Sequence, residues 1–276
     1  VEGALTTRNI HTKDFTWFTN LNFGFNDNTV LQETVAENST TPSREGYPVG
    51  AIFAYKTAGL DDEGYPLYLT KDGQKLSAKD FFQLNNAGAS SLSAEEQRNL
   101  LTYMGSTDPK VSGGFTNTFK YQRVTLSVNC IFNFGMHVQT TPSYSLTTYD
   151  RGLNTNRDIL DRWTPDNPDG KFPRLINSSD RPEEYSFYDN YPILNNLDIY
   201  VKKQNYFRFQ SIRLAYDLPT RWLKPIGVKS ASVSLEGRDL WVIASNYHNY
   251  LDPETMGNPY ASPIPKSFIF GLNVNF

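Results

Sequence analysis

Lys266-Ser-Phe-Ile-Phe-Gly-Leu-Asn-Val-Asn-Phe276 is the stretch that decides the fold. Its even positions are Phe268, Phe270, Leu272, Val274 and Phe276, and Ser267, Gly271, Asn273 and Asn275 stand between them. Successive side chains of a strand point to opposite faces, so this alternation specifies a strand with one apolar and one polar face. Any antiparallel sheet with one wetted face contains such a strand. Recurrence and length therefore carry the argument.

The pattern recurs. Between Val124 and Val138 the even positions are Val124, Leu126, Val128, Cys130, Phe132, Phe134, Met136 and Val138, and only Ile131 breaks the polar row between them. From Asp14 to Asn26, Phe15, Trp17, Leu21, Phe23 and Phe25 share one face and Thr16, Asn20, Asn22, Gly24 and Asn26 the other, with Phe18 and Thr19 out of pattern. A strand that crosses a bilayer needs about 9–11 residues, and these runs suffice. The chain has 18 Phe and 17 Tyr yet a negative mean hydropathy, as expected when apolar residues are confined to alternate strand positions and diluted by polar loops. No stretch approaches the roughly 18 unbroken apolar residues of a membrane helix, which excludes a helical membrane protein. A net charge of −3 gives no basic footprint for nucleic acid.

Eight strands are expected: Glu2–Ile10, Phe15–Asn26, Pro48–Lys56, Gly113–Tyr121, Val124–Val138, Asn205–Leu218, Ala231–Ile243 and Ile264–Phe276. His11–Asp14, Gln122–Arg123 and Pro219–Lys229 are short connections, whereas Thr57–Ser112, Gln139–Gln204 and Ala244–Pro263 are long, which suits a transmembrane β-barrel with short inner turns and long external loops. Two connections fit less well: 27–47 is a long inner crossing and His11–Asp14 a short outer one. Counting back from an inner C-terminus places Trp17, Trp241 and Phe268 near the outer strand ends and Phe25, Tyr121, Tyr216 and Phe276 near the inner ends, as two aromatic girdles. Phe207 and Phe209 lie on one parity and Ile212, Leu214 and Tyr216 on the other, which implies a bulge near Gln210–Ser211.

The long loops carry structure of their own. Ser93-Ala-Glu-Glu96 is a capping box before a helix at Arg98–Tyr103, with Gly105 placed to end it. Ser77-Ala-Lys-Asp80 introduces a short turn at Phe81–Leu84, Thr155–Trp163 reads as a third, and Pro165–Pro173 is a rigid turn cluster. Structured loops of this size are usually functional. Tyr65, Tyr68, Trp163, Tyr185, Tyr188, Tyr191, Tyr247 and Tyr250 are the candidate ligand contacts, because aromatic faces stack on sugar rings or peptide side chains, with Asp166 and Asn167 near enough in sequence to fix orientation. Packing of the loops against themselves is the competing reading for each ring.

Other chemistry is sparse. Asp61-Asp-Glu-Gly64 with Asp72-Gly73 has the composition of a calcium loop without EF-hand spacing, and reads as a solvated hairpin tip. His11, His137 and His248 are scattered and have no Ser or Cys partner motif, and no carboxylate pair is specified, so the chain reads as a non-enzyme without cofactor or metal. Cys130 reads as a packed or lipid-facing small hydrophobe. The sequence opens with neither an initiator Met nor a signal segment, and its first residues read like the interior of a strand, so the chain is expected to be a C-terminal piece of a larger sheet.

A family resemblance rests on motifs in order. These are Glu45-Gly-Tyr-Pro48 followed by Gly59-Leu-Asp61; Gly105-Ser-Thr-Asp-Pro109 leading to Gly113-Gly-Phe-Thr-Asn117; and Arg162-Trp-Thr-Pro-Asp-Asn-Pro168. Tyr206-Phe-Arg-Phe209 with Leu214-Ala-Tyr-Asp-Leu-Pro219 follows, then Val233-Ser-Leu-Glu-Gly-Arg-Asp-Leu240 and Asp252-Pro-Glu254 through to Phe276. Together they resemble the SusC/RagA family over nearly the whole chain. Arg238-Asp239 departs from the Gln-Asn of many members. The terminal Phe276 is similar to the assembly signal of outer-membrane barrels.

The resemblance implies a TonB-dependent importer of a Gram-negative outer membrane: a barrel of about 22 strands around a plug, capped by a SusD-like surface lipoprotein and taking up glycans or peptides. Residues 1–276 would then be the C-terminal part of the barrel, about eight strands, without the plug domain and TonB box that meet the TonB complex. A non-transporting surface β-module, such as a small closed outer-membrane barrel or a carbohydrate-binding domain, stays open beside it.

Overall fold

Seven antiparallel strands form one sheet whose spatial order is their chain order: β1 (Glu2–His11), β2 (Phe15–Phe25), β3 (Val111–Tyr121), β4 (Val124–Phe134), β5 (Tyr206–Asp217), β6 (Ser230–Ala244) and β7 (Ser267–Asn275). The computed structural model describes residues 1–142, 144–147, 157–190, 193–245, 252–258 and 260–276. Each strand pairs with its neighbours in sequence, so the sheet is an up-and-down meander, open at β1 and β7. Strand lengths of 9 to 15 residues match the span of a bilayer.

Register puts the apolar rows in line. Phe119 faces Leu126, Leu126 faces Leu214, Leu214 faces Leu235 and Leu235 faces Phe270. That row stays uncovered: Leu214, Leu235, Phe270 and Leu272 are at least half exposed. A soluble sandwich would bury this face under a second layer; among the described residues no second sheet lies over it. Asn129, Asn133, Asn273 and Asn275 lie on the opposite, polar face from Phe132, Phe134, Phe270 and Leu272. The two residues out of pattern in β2 each have a partner. The Phe18 ring lies 5.3 Å beneath the Arg8 guanidinium on the polar face, and Thr19 donates to Asn117 Oδ1 (2.6 Å), which also accepts from Trp17 Nε1 (2.9 Å).

The expected bulge is present. Phe209 opposes Trp241 and Cys130, Ser211 opposes Arg238 and Asn129, and Gln210 is the extra residue that restores apolar parity to Ile212, Leu214 and Tyr216. On β6 the same interruption takes up Asp239 and Leu240, and Asp239 adopts φ 53°.

Three expectations are corrected. Pro48–Lys56 contributes no sheet strand; Ala51–Ala54 is a four-residue strand that pairs with Thr102–Ser106 inside a loop. The Val124–Val138 run breaks at Gly135 (φ 81°), and His137–Gln139 leaves to pair with Val201–Lys203. With seven strands instead of eight, β1 and β2 run opposite to the expected direction. Trp17 consequently sits beside Phe119 near the Tyr121 end and Phe25 beside Val111, so the two exchange levels. Tyr121, Tyr216 and Phe276 share the short-turn end with Trp17, and Trp241 and Phe268 lie at the other. The same change of count removes both awkward connections. All three short turns, including His11–Asp14, lie at one end, and all three long connections, 26–110, 135–205 and 245–266, at the other.

A charge on the uncovered row should be costly and one on the polar face cheap. Phe270→Arg is expected to destabilise the bilayer-inserted protein by about 2–4 kcal/mol and Asn273→Arg by far less. Urea unfolding in vesicles checks this, and equal losses would contradict the assignment of faces.

Candidate functional site

The buried core of the molecule lies in the long connections, not in the sheet. Tyr68 is fully enclosed, stacked on Phe81 (5.1 Å) and edge-on to Phe82 (5.1 Å), and Tyr55 stands edge-on to Phe82 (4.9 Å). These rings come from the first connection: the three-stranded piece Thr57–Leu60, Pro66–Leu69 and Lys75–Leu76 leads into α1 (Ala78–Phe82), which Ser77 caps by accepting from Asp80 N. α2 (Ala94–Leu100) follows with the Ser93–Glu96 capping box, ending earlier than expected because Thr102–Ser106 is already strand; Gly105 (φ 136°) lies inside that strand, its backbone against the His137 ring. The second connection supplies Phe187 from α3 (Pro182–Asn190), together with Leu197 and Tyr200.

Backbone bonds tie the two connections together. Tyr55 N donates to Asn196 O (2.7 Å), Asp198 N donates to Tyr55 O (3.0 Å), and the Asp198 carboxylate accepts from Thr57 N (3.2 Å) and Oγ1 (2.6 Å). Lys79–Glu183 and Arg181–Glu63 add ion pairs. Both pairs are solvent-exposed and contribute little, against roughly 1.5–3 kcal/mol for burying one large apolar side chain. The rings hold the loop body together.

Most of the candidate ligand contacts belong to that packing. Trp163 is buried, and the Arg174 guanidinium lies between its ring (5.0 Å) and that of Tyr65 (5.5 Å), while Tyr65 stacks parallel to Tyr188 at 6.2 Å. Gly64, at φ 84°, lets the chain pass so close to Trp163 that any Cβ would strike the indole. Tyr68 offers no surface to a ligand. Tyr185 packs on a second cluster of Tyr144, Leu146 and Ile176. Asp166 is exposed and Asn167 closes the Thr164–Asn167 turn, its Nδ2 donating to Arg162 O (3.1 Å). Tyr191, Tyr247, Tyr250 and His248 lie outside the described residues, as do 155–156 of the expected third turn, of which Arg157–Asp161 is a 3-10 helix. The Asp61 carboxylate is used by its own turn, accepting from Glu63 N (2.9 Å) and Tyr65 N (2.8 Å). Among the described residues, no group of three or more His, Cys, Asp or Glu is placed to hold a metal ion.

A surface that the sequence does not mark lies beside this core. Tyr47, Phe53 and Tyr103 form a ring cluster, with Tyr47 4.8 Å from Tyr103 and 5.3 Å from Phe53, because Ala51–Ala54 pairs with Thr102–Ser106. They line a groove of about 660 Å³ that also takes in Phe81, Asn99 and the exposed Lys56 and Lys71. Aromatic walls with a cationic rim suit a ligand or partner that offers flat rings or apolar side chains together with carboxylates.

The third connection is fixed separately. Arg208, on the polar face of β5 and 2 % exposed, donates from Nη2 to Asp252 Oδ1 (2.5 Å) and from Nε to Glu254, with Asp239 Oδ1 3.9 Å from Nη1. One guanidinium thus holds the loop and the β6 bulge on the inner face of the sheet.

No family model matches the chain. TonB-dependent receptor P26 of Formosa agariphila is 25% identical over 306 residues, covering 100% of this chain, and TonB-dependent receptor P3 of the same organism is 22% identical over 303 residues with the same coverage. The RagAB peptide importer in its open-open state superposes on the whole chain with a TM-score of 0.68 at 20% identity, and in its closed-closed state with 0.68 at 21%. Over its whole length the chain is similar to TonB-dependent receptors. It spans 28% of the length of the curated relatives it matches. Three of the motifs that carry the resemblance meet in space: Tyr206-Phe-Arg-Phe209 supplies Arg208, Arg238-Asp239 the bulge, and Asp252-Pro-Glu254 the two acceptors.

Removing one member of a buried ion cluster leaves the others uncompensated. Arg208→Ala is expected to cost about 3–5 kcal/mol, and much of that should return when Asp252→Leu and Glu254→Met are added. Urea unfolding of the unsubstituted protein and the two variants decides it; a triple variant no more stable than the single one would refute the clamp.

The loop body should also be sensitive to alkali. Burial, followed by neighbouring tyrosines, holds the Tyr68 hydroxyl well above its ordinary range; burial and Asp61 raise that of Tyr188; burial and Asp158 push Tyr200 up to about 12. The folded state therefore keeps protons that the unfolded state gives up from about pH 10. Stability contributed by these groups is intact below pH 10 and declines as pH rises through the folded values. Tyrosinate absorbance followed during alkaline titration should show these rings ionising together with loss of near-ultraviolet dichroism; independent, non-cooperative ionisation near pH 10 would argue against their burial.

Proposed function

We propose that this chain forms part of the wall and the external loops of a TonB-dependent importer in the outer membrane of a Gram-negative cell. One observation carries the reading. The apolar row of a seven-stranded meander is left uncovered while all three long connections gather at one end, two of them built into a packed body with its own core. An uncovered apolar face with fully paired interior strands suits hydrocarbon, and the end bearing the loops is then the outer surface. Residues 1–276 correspond in this reading to the C-terminal part of the barrel, with the plug and the contact with the TonB complex contributed by the rest of the protein.

The loop body is the docking surface for a SusD-like lipoprotein, and the Tyr47–Phe53–Tyr103 groove lies where such a lid or its glycan or oligopeptide cargo would touch. The likeness to the RagAB peptide importer supports import as the class of activity. A small closed barrel is disfavoured, because β1 and β7 stand at opposite edges of an open sheet and do not pair with each other.

Deleting Leu76–Met104 from the intact transporter removes α1, α2 and one wall of the groove but no strand of the main sheet. The variant should keep a heat-modifiable barrel and lose co-purification of the lipoprotein. Undiminished co-purification would remove this segment from the interface. Uptake of defined glycans and peptides by cells carrying the intact protein then separates the two classes of cargo.

A further inference from the structure

The connection between β5 and β6 exposes an indole. Thr220–Leu223 makes one α-helical turn, Lys224–Ile226 continues it as 3-10 helix, and Gly227 at φ 72° closes it. Leu223 and Val228 are buried against Ala231, with Leu218 and Val274 beside them. Ala231 pairs with Val274 two residues along from the Val233–Leu272 pair, which places all of them on the uncovered apolar face of the sheet. The turn is thus folded back over the outward face. Lys229 N to Asn275 O (2.8 Å) and Arg123 Nη1 to Leu218 O (3.3 Å) fix it there. From this seat Trp222 (55 % exposed) and Ile226 (68 %) project together, with the Arg221 guanidinium over the indole at 5.8 Å and Lys224 exposed beside them.

Charge at this end is predominantly positive. The three short connections and the strand ends they join carry Lys13, Lys120, Arg123, Arg221, Lys224 and Lys229 against Asp14 and Asp217, a balance of +4, so the remainder of a chain of net charge −3 carries −7. Apolar side chains that continue a lipid-facing surface, flanked by cations, fit the boundary between acyl chains and phosphates. Tyr216 of the same face ends at this level.

We propose that Thr220–Ile226 is an interfacial anchor: Trp222 and Ile226 enter the inner phospholipid leaflet at headgroup depth, and Arg221 and Lys224 engage lipid phosphates. The proposal rests on the membrane placement given above. Its test uses the intact transporter in phosphatidylethanolamine–phosphatidylglycerol vesicles whose lipids carry bromine either near the headgroup or deep in the acyl chain. Subtracting the emission of Trp222→Phe from that of the unsubstituted protein isolates Trp222, and Trp241→Phe does the same for Trp241, which lies on the same face at the opposite end. Trp222 is expected to emit to the blue of a water-exposed indole and to be quenched more by shallow than by deep bromines. Water-like, unquenched Trp222 emission with quenched Trp241 overturns the anchor and leaves the barrel standing, as does stronger quenching of Trp222 from deep bromines. If neither indole is quenched, the membrane placement falls with it.

Discussion

Everything in this molecule depends on pairing the backbone polar groups of a sheet that carries an uncovered apolar face. Each of β2 to β5 has a partner on both sides over most of its length, and β6 over Ser230–Arg238, so their N–H and C=O groups are consumed by the ladder and the side chains of one face are free to be apolar without a second layer above them. This is why Leu214, Leu235 and Phe270 can stand in an uncovered row while the chain as a whole has a negative mean hydropathy. It also explains the bulges. Gln210 and Asp239 are accommodated at one level in adjacent strands, so the ladder resumes on both sides and no run of unpaired groups results.

With the sheet's apolar face committed outward, the ordinary work of a hydrophobic core passes to the loops. Tyr55, Tyr68, Phe81, Phe82, Phe187 and Leu197 form a close-packed cluster drawn from two connections far apart in sequence. The polar face of the sheet is treated differently. There the third connection is held by the single buried cation Arg208 and its carboxylates, a directional attachment in which geometry matters more than area.

Strands of nine or more residues were legible because parity repeats enough times to distinguish two faces, and the odd parity of Phe207 and Phe209 against Leu214 even revealed the bulge. Pro48–Lys56 misled because a four-residue loop strand shows the same local alternation, and that one error reversed the levels of Trp17 and Phe25. α3 was invisible to periodicity, since Tyr185, Phe187 and Tyr188 point to two loop clusters at once; Pro182 followed by Glu183 and Glu184 was the signal available. Loop aromatics mark a ligand site and a loop core alike, and Tyr68 and Trp163 belong to the core. Tyr47, Phe53 and Tyr103 escaped notice because only the pairing of Ala51–Ala54 with Thr102–Ser106 brings them together. Arg208, Asp239, Asp252 and Glu254 were each visible as parts of recurring motifs, but nothing local says that they share one charge centre.

In the ladder of Trp163, Arg174, Tyr65 and Tyr188, Tyr65 of the first connection stands between Arg174 and Tyr188 of the second, and Gly64 of the first leaves the Trp163 indole no spare room. Neither connection can therefore be exchanged alone between relatives without leaving rings unmatched across the seam. A chimera that exchanges this loop body has to transplant the two as a single cassette, and natural diversification of the loops is subject to the same pairwise inheritance.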